Sequence, residues 1–141
     1  MRVYLSHKIR GSSGNNATRE ELNKNCIEVI KIGERLKGDF PHIKFYIPAE
    51  HDEFIQIAYK QGYLTESEIL ATDCKIIDNC DVVLVYVPDG DKLQGGRLTE
   101  YNHAKHTKKI CEIVKNIHEM YLWIIWVTIL EPFLFKTSKI K

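Results

Sequence analysis

Six consecutive apolar residues, Val82 to Val87, constrain this chain more than any other feature. A strand with no polar alternation is covered on both faces, and such strands belong to parallel sheets flanked by helices. Asp81 precedes the run, and Pro88, Gly90, Gly95 and Gly96 break the chain into a loop after it. Leu98 to Ala104 then reads as the start of a helix with Glu100 in its first turn. Open α/β sheets hold their ligands at such junctions of strand, glycine loop and helix start.

The flanking segments fit the same plan. Val3 to Ser6 reads as a short, central first strand, and His7 to Asn16 as a polar loop containing Gly11 and Gly14. Backbone N–H groups in that loop, together with Lys8 and Arg10, suit an anion held just before a helix. A helix is predicted from about Ala17 to Lys37, because Leu22, Cys26, Val29, Ile30, Gly33 and Leu36 recur at steps of three and four. Gly38 and Pro41 are expected to end it. Ile43 to Ile47 has strand composition between two prolines. A short helix around Glu53 to Lys60, with Glu50, His51, Asp52 and Tyr59 nearby, suits a wall or lid over a site. Thr65 and Glu68 match a capping box, and Ile69, Leu70, Ile76, Ile77 and Cys80 continue an apolar stripe that has Asp73 in its middle. Lys109 to Val114 reads as a fourth strand.

Alternating strands and helices predict a doubly wound, mostly parallel α/β sheet of four to five strands, flavodoxin- or Rossmann-like, with helices on both faces. The strand carboxyl ends bring three segments together: Ser6 to Gly14, Pro48 to Asp52, and Pro88 to Glu100. Residues 1–115 form the α/β domain in this reading. Residues 116–141 form an apolar extension packed on that domain or at a subunit contact. Within it, Tyr121 to Leu130 fits a strand and a buried helix equally well; Pro132 is expected to end the element and Lys136 to Lys141 to fray.

Composition removes several functions. A net charge of +1 gives no basic face for a nucleic-acid polymer. Met120 to Leu130 falls well short of the roughly 20 residues needed to span a bilayer, so no membrane partner is expected. Four cysteines without CxxC spacing, and a first strand starting at once, point to buried thiols and a cytoplasmic protein. His103 and His106 lack a third ligand for a metal. The lysine of a P-loop, a GxGxxG after the first strand and a Gly-x-Ser-x-Gly elbow are all missing, so no cofactor is expected.

Three motifs resemble the nucleoside 2-deoxyribosyltransferase-like superfamily, which includes the 2′-deoxynucleoside 5′-monophosphate N-glycosidases. Val3 through Gly11 is similar to its opening strand and substrate loop, Tyr-x-x-(Gly)-x-Ile-Arg-Gly. Asp73 lies eight residues before Asp81, as in the family. Gln94 through Ala104 is similar to its glycine loop followed by Glu-x-Gly-x-Ala. Together the motifs cover roughly the first 115 residues.

The resemblance implies cleavage or transfer of the N-glycosidic bond of a (deoxy)nucleoside or nucleotide. Glu100 would be the nucleophile, ionised at a helix start; Asp73 would assist base departure, and Tyr4 would orient Glu100. Ser6, His7, Lys8, Ile9, Arg10, Gly11, Gln94, Gly95, Gly96 and Arg97 would hold the sugar and any 5′-phosphate. His7 and Lys8 stand where the family often has Gly-Ser or Gly-Pro, and Gln94 stands where its monophosphate hydrolases carry a phosphate-binding serine. Lys8, Arg10 and Arg97 would compensate, which favours a phosphorylated substrate. The family's transferases complete the site from a partner subunit, so a homodimer or higher homo-oligomer is expected. Two other readings are a non-catalytic nucleotide-binding module on the same fold and an NAD glycohydrolase.

Overall fold

Among the described residues, four short strands pair in parallel, and every connection between them passes through helix, as a parallel sheet requires. The computed structural model describes residues 1–10 and 16–134. The strands are β1 (Arg2–Ser6), β2 (Lys44–Tyr46), β3 (Val82–Tyr86) and β4 (Ile110–Val114), in the order β2-β1-β3-β4. Among the described residues, five α-helices accompany them: α1 (Arg19–Asp39), α2 (Asp52–Lys60), α3 (Glu66–Asp78), α4 (Gly95–His106) and α5 (Ile117–Leu134). A one-turn 3-10 helix, Pro48–His51, precedes α2. This is a doubly wound α/β fold, and all five residues of β3 are buried.

Residue parity along β1 positions the site. Val3 and Leu5 face a core built with Val29 and Leu36 of α1 and with Met120, Ile124 and Val127 of α5. Tyr4 faces the opposite core, with Val83, Val85, Ile77 of α3 and Ala104 of α4. Side chains two apart on a strand share a face, so Tyr4 and Ser6 both point to the α3/α4 side. The chain winds from β1 outward to β2, then returns to place β3 on the other flank of β1. That reversal opens a crevice beyond the carboxyl ends of β1 and β3. Asp81 latches the two strands at their other end: its Oδ2 accepts from Arg2 N at 2.8 Å, and its own N–H donates to Arg2 O at 2.8 Å.

Several boundaries differ from the sequence expectations. Helix α1 runs to Asp39 with Gly38 inside it, and the Phe40 N–H closes the last turn on Leu36 O. Strand β2 keeps only three residues, as suits a sheet edge. Helix α4 starts at Gly95, three residues before the expected Leu98, so Gly95 and Gly96 are helical and Glu100 lies beyond the first turn. The Tyr121–Leu130 segment is helical, and Pro132 lies within the last turn of α5. Proline lacks an N–H and its ring crowds the carbonyl four residues back, so its place in the final turn confines that disturbance to the end of α5. The Lys136–Lys141 segment lies outside the described residues. Among those described, no helix is long and apolar enough to cross a membrane.

Candidate active site

A cavity of roughly 330 Å³ opens at the crevice, bounded by the loop after β1, helices α2 and α3, and the start of α4. Its size suits a ligand such as a nucleoside, since small-molecule pockets start near about 300 Å³. Glu100 and Asp73 both line it.

Glu100 is 6% exposed. The Tyr4 hydroxyl donates to its Oε1 at 3.1 Å, a buried bond between residues 96 apart in sequence. Burial pushes the Glu100 carboxyl up to about 8, with the nearby Asp73 charge adding to the rise. Ser6, Tyr4 and Arg97 act in the opposite sense and are outweighed. The expectation that a helix start keeps Glu100 ionised at pH 7 is therefore corrected: the residue sits past the first turn, and desolvation disfavours its charged form. Ser6 Oγ lies near enough to favour the carboxylate, yet neither Ser6 Oγ nor Glu100 Oε2 completes a hydrogen bond of ordinary geometry.

Asp73 sits mid-way along α3, and burial raises its carboxyl to about 6. Helix α3 owes its start to a complete capping box, Thr65 with Glu68. Glu66, Ile69, Leu70 and Asp73 line the cavity from that helix. Their i, i+3, i+4, i+7 spacing is one helical face. That spacing was legible in the chain and would have marked Glu66, Ile69 and Leu70, which the motif reading passed over. Asp52 and Tyr59 of the expected wall also face the cavity, joined by Ile55 and Gln56 of α2.

His7, Lys8, Ile9 and Arg10 of the first loop all line the cavity, and His7 and Ile9 also tie the loop to its surroundings. His7 is buried, and the Ala49 N–H donates to its Nε2 at 3.0 Å. That ring nitrogen must accept, so the proton resides on Nδ1, 3.0 Å from the Lys8 carbonyl. Burial lowers His7 to about 4, and the neutral ring ties β1 to the 3-10 turn. Ile9 packs on the α1 side, and its carbonyl accepts from Asn25 Nδ2 at 2.7 Å. Arg10 pairs with Glu66 at 3.1 Å and lies over the Tyr59 ring. Gly11 lies outside the described residues. Tyr4 and Ser6 are fully buried and do not line the cavity; Tyr4 reaches it only through Glu100.

At the second loop Gln94 is the N-cap of α4, and its side chain makes no cap bond. The first N–H groups of α4 are thus left for a ligand or solvent beside Gln94, Gly95 and Gly96, all of which line the cavity. Gly95 has φ +62°, and a Cβ on Gly96 would lie 3.1 Å from Leu70 Cδ2. The two glycines therefore serve the helix start and its close approach to α3. Arg97 is 4% exposed and donates to Tyr86 O at 2.8 Å and Lys92 O at 2.9 Å. Its guanidinium fastens the β3–α4 loop to the end of β3. Among the described residues, no cluster of three His, Cys, Asp or Glu side chains is arranged for a metal.

No protein-family model, curated protein or solved structure matches the chain.

Proposed function

We propose that this protein cleaves, or transfers across, the N-glycosidic bond of a (deoxy)nucleoside or its 5′-monophosphate. The observation that carries the reading is the Tyr4–Glu100 hydrogen bond beneath a nucleoside-sized cavity that also holds Asp73. Glu100, once ionised, attacks C1′ as the C1′–N bond breaks; the bonding pair leaves with the base, and Asp73 delivers a proton to it. The developing oxocarbenium charge favours the Glu100 carboxylate, and the Tyr4 hydroxyl holds its Oε1. Water or a second base then takes C1′ from the glycosyl ester and regenerates Glu100.

The reaction needs the singly protonated carboxyl pair, with the proton on Asp73 and the charge on Glu100. With Asp73 near 6 and Glu100 near 8, the singly protonated pair peaks around neutrality, and the productive arrangement is its minor tautomer. A bell-shaped kcat/KM with limbs near those values is expected. Glu100→Gln should abolish base release by about a thousandfold or more while leaving binding in place. Base release unaffected by Glu100→Gln would overturn the assignment.

A second reading is supported by the same carboxyl: at pH 7 the unliganded Glu100 is largely neutral, a state suited to hydrogen bonding without turnover. A non-catalytic nucleotide-binding module predicts a ligand recovered intact from the wild-type protein. Base-release chromatography separates the two. For partners, we take the apolar outer face of α5 as a contact between two copies of the chain.

A further inference from the structure

Each cation lining the cavity is engaged by a carboxylate of the chain itself. Arg97 Nη1 lies 3.0 Å from Asp91 Oδ2, and Lys8 Nζ lies 3.7 Å from the same oxygen. On the α3 wall Arg10 Nη1 lies 3.1 Å from Glu66 Oε1. Arg97 cannot swing toward a ligand without leaving two carbonyls and a carboxylate in a buried setting. Asp91 is equally fixed, since its Oδ1 accepts from the Lys92 N–H at 2.8 Å and its own N–H donates to Pro88 O at 3.0 Å. Its side chain is only 12% exposed. The cavity floor then adds Asp73 and Glu100, for which no ion pair is formed among the described residues.

We infer that Asp91 is a specificity-determining residue: its carboxylate already occupies the cationic corner formed by Lys8 and Arg97, so the cavity takes an uncharged nucleoside and discriminates against the 5′-monophosphate. The inference rests on the glycosidic reading above and chooses between its two substrate classes. Asp91 does not itself line the cavity and its Oδ2 is buried; from behind Lys8 and Arg97 its negative charge opposes a phosphate that approaches them. A neutral ligand meets no such opposition. Its hydroxyls and base edges find Gln56, Gln94 and the uncapped N–H groups of α4. The three cations that favoured a phosphorylated substrate from sequence are thereby reassigned to holding the site together.

Titration calorimetry with each common 2′-deoxynucleoside and its 5′-monophosphate tests this on the wild type, Asp91→Asn and Asp91→Glu. The wild type is expected to bind the nucleoside tighter than its monophosphate, by about tenfold or more. Asp91→Asn should erase or reverse the preference by releasing Lys8, and Asp91→Glu should keep it. A monophosphate bound as tightly as the nucleoside by the wild type, an unchanged ratio in Asp91→Asn, or no binding of either ligand would overturn the inference. Should Asp91→Asn not fold, competition by inorganic phosphate against the nucleoside on the wild type decides: none is expected, and clear competition overturns it. Base release is followed separately. Its absence alongside an intact preference removes the glycosidic reading and leaves the ligand class standing.

Discussion

At the scale of single residues, Glu100 is where two electrostatic effects compete. A helix end stabilises an exposed carboxylate by about 1 kcal/mol at most, whereas removing one from water costs several. Burial therefore wins, and the folded-state value near 8 lies above that of an unfolded glutamate. A raised carboxyl contributes stability that is complete below its unfolded value and is lost as pH rises through the folded one. His7 acts oppositely: held neutral near 4, it stabilises above the ordinary histidine value and loses that contribution as pH falls from about 6.5 toward 4. In mildly acidic solution Glu100 and Asp73, itself raised to about 6, oppose His7, and only Glu100 remains active between about pH 6.5 and 8. Denaturant unfolding should show stability falling across that window, while Glu100→Gln should be nearly flat there and more stable than wild type at pH 8. A wild-type stability that is level or rises over the same interval would refute the buried-carboxyl account. Tyr4→Phe removes a hydrogen bond that favours the ionised glutamate. Its base-release rate should fall by about ten- to a hundredfold, with the alkaline limb of the pH profile displaced upward. An unshifted limb would mean that Tyr4 is simply packing.

At the scale of elements, capping chemistry was easier to read than helix starts without caps. Helix α3 begins where Thr65 and Glu68 announce it, because both partners of a capping box lie within four residues. Helix α4 has no such signal; Gln94 makes no side-chain cap, and two glycines that suggest a loop are helical. Gly95 meets a local need, its φ of +62°, whereas the reason for Gly96 is tertiary, since it lies against Leu70 of α3. Gly33 of α1 is a parallel case, for a Cβ there would lie 2.2 Å from Cδ1 of the fully buried Ile47. Alanine in a helix interior gains about 1 kcal/mol over glycine, but overpacking costs about 1–3 kcal/mol. Gly33→Ala should therefore destabilise the protein by up to about 2 kcal/mol net, read as a lower denaturation midpoint with unchanged slope. A stabilised variant would show that Ile47 has room to move.

At the scale of the whole molecule, strand order brings the site together. Tyr4, Asp73 and Glu100 come from β1, α3 and α4, and they meet because β3 lies beside β1. Helix α5 closes the opposite face and carries two apolar stripes. Met120, Ile124 and Val127 are buried, while Leu122, Trp126, Ile129 and Phe133 are each more than half exposed. Those four side chains present on the order of 400–500 Å² of apolar surface, about half or slightly more of the roughly 800 Å² per copy in a stable dimer. The four carry no charge, so two copies meet there without repulsion. Sedimentation should report a dimer that Trp126→Glu converts to a monomer; a wild type that stays monomeric at high concentration would remove this face as the contact.

Local chemistry in the chain was sufficient for the parallel α/β class. Buried runs, helical periodicity and capping boxes act over a few residues, so their signals survive in the linear order. It also marked Glu100, Asp73 and Tyr4 as candidates, through motif resemblance. The protonation of Glu100, the retirement of Lys8, Arg10 and Arg97 into internal ion pairs, and the helical form of the tail were settled by packing. Burial and charge pairing depend on which distant residues come into contact: Tyr4 with Glu100, Arg10 with Glu66, Lys8 with Asp91. No short-range pattern encodes those meetings, and each decides what a side chain can offer a ligand.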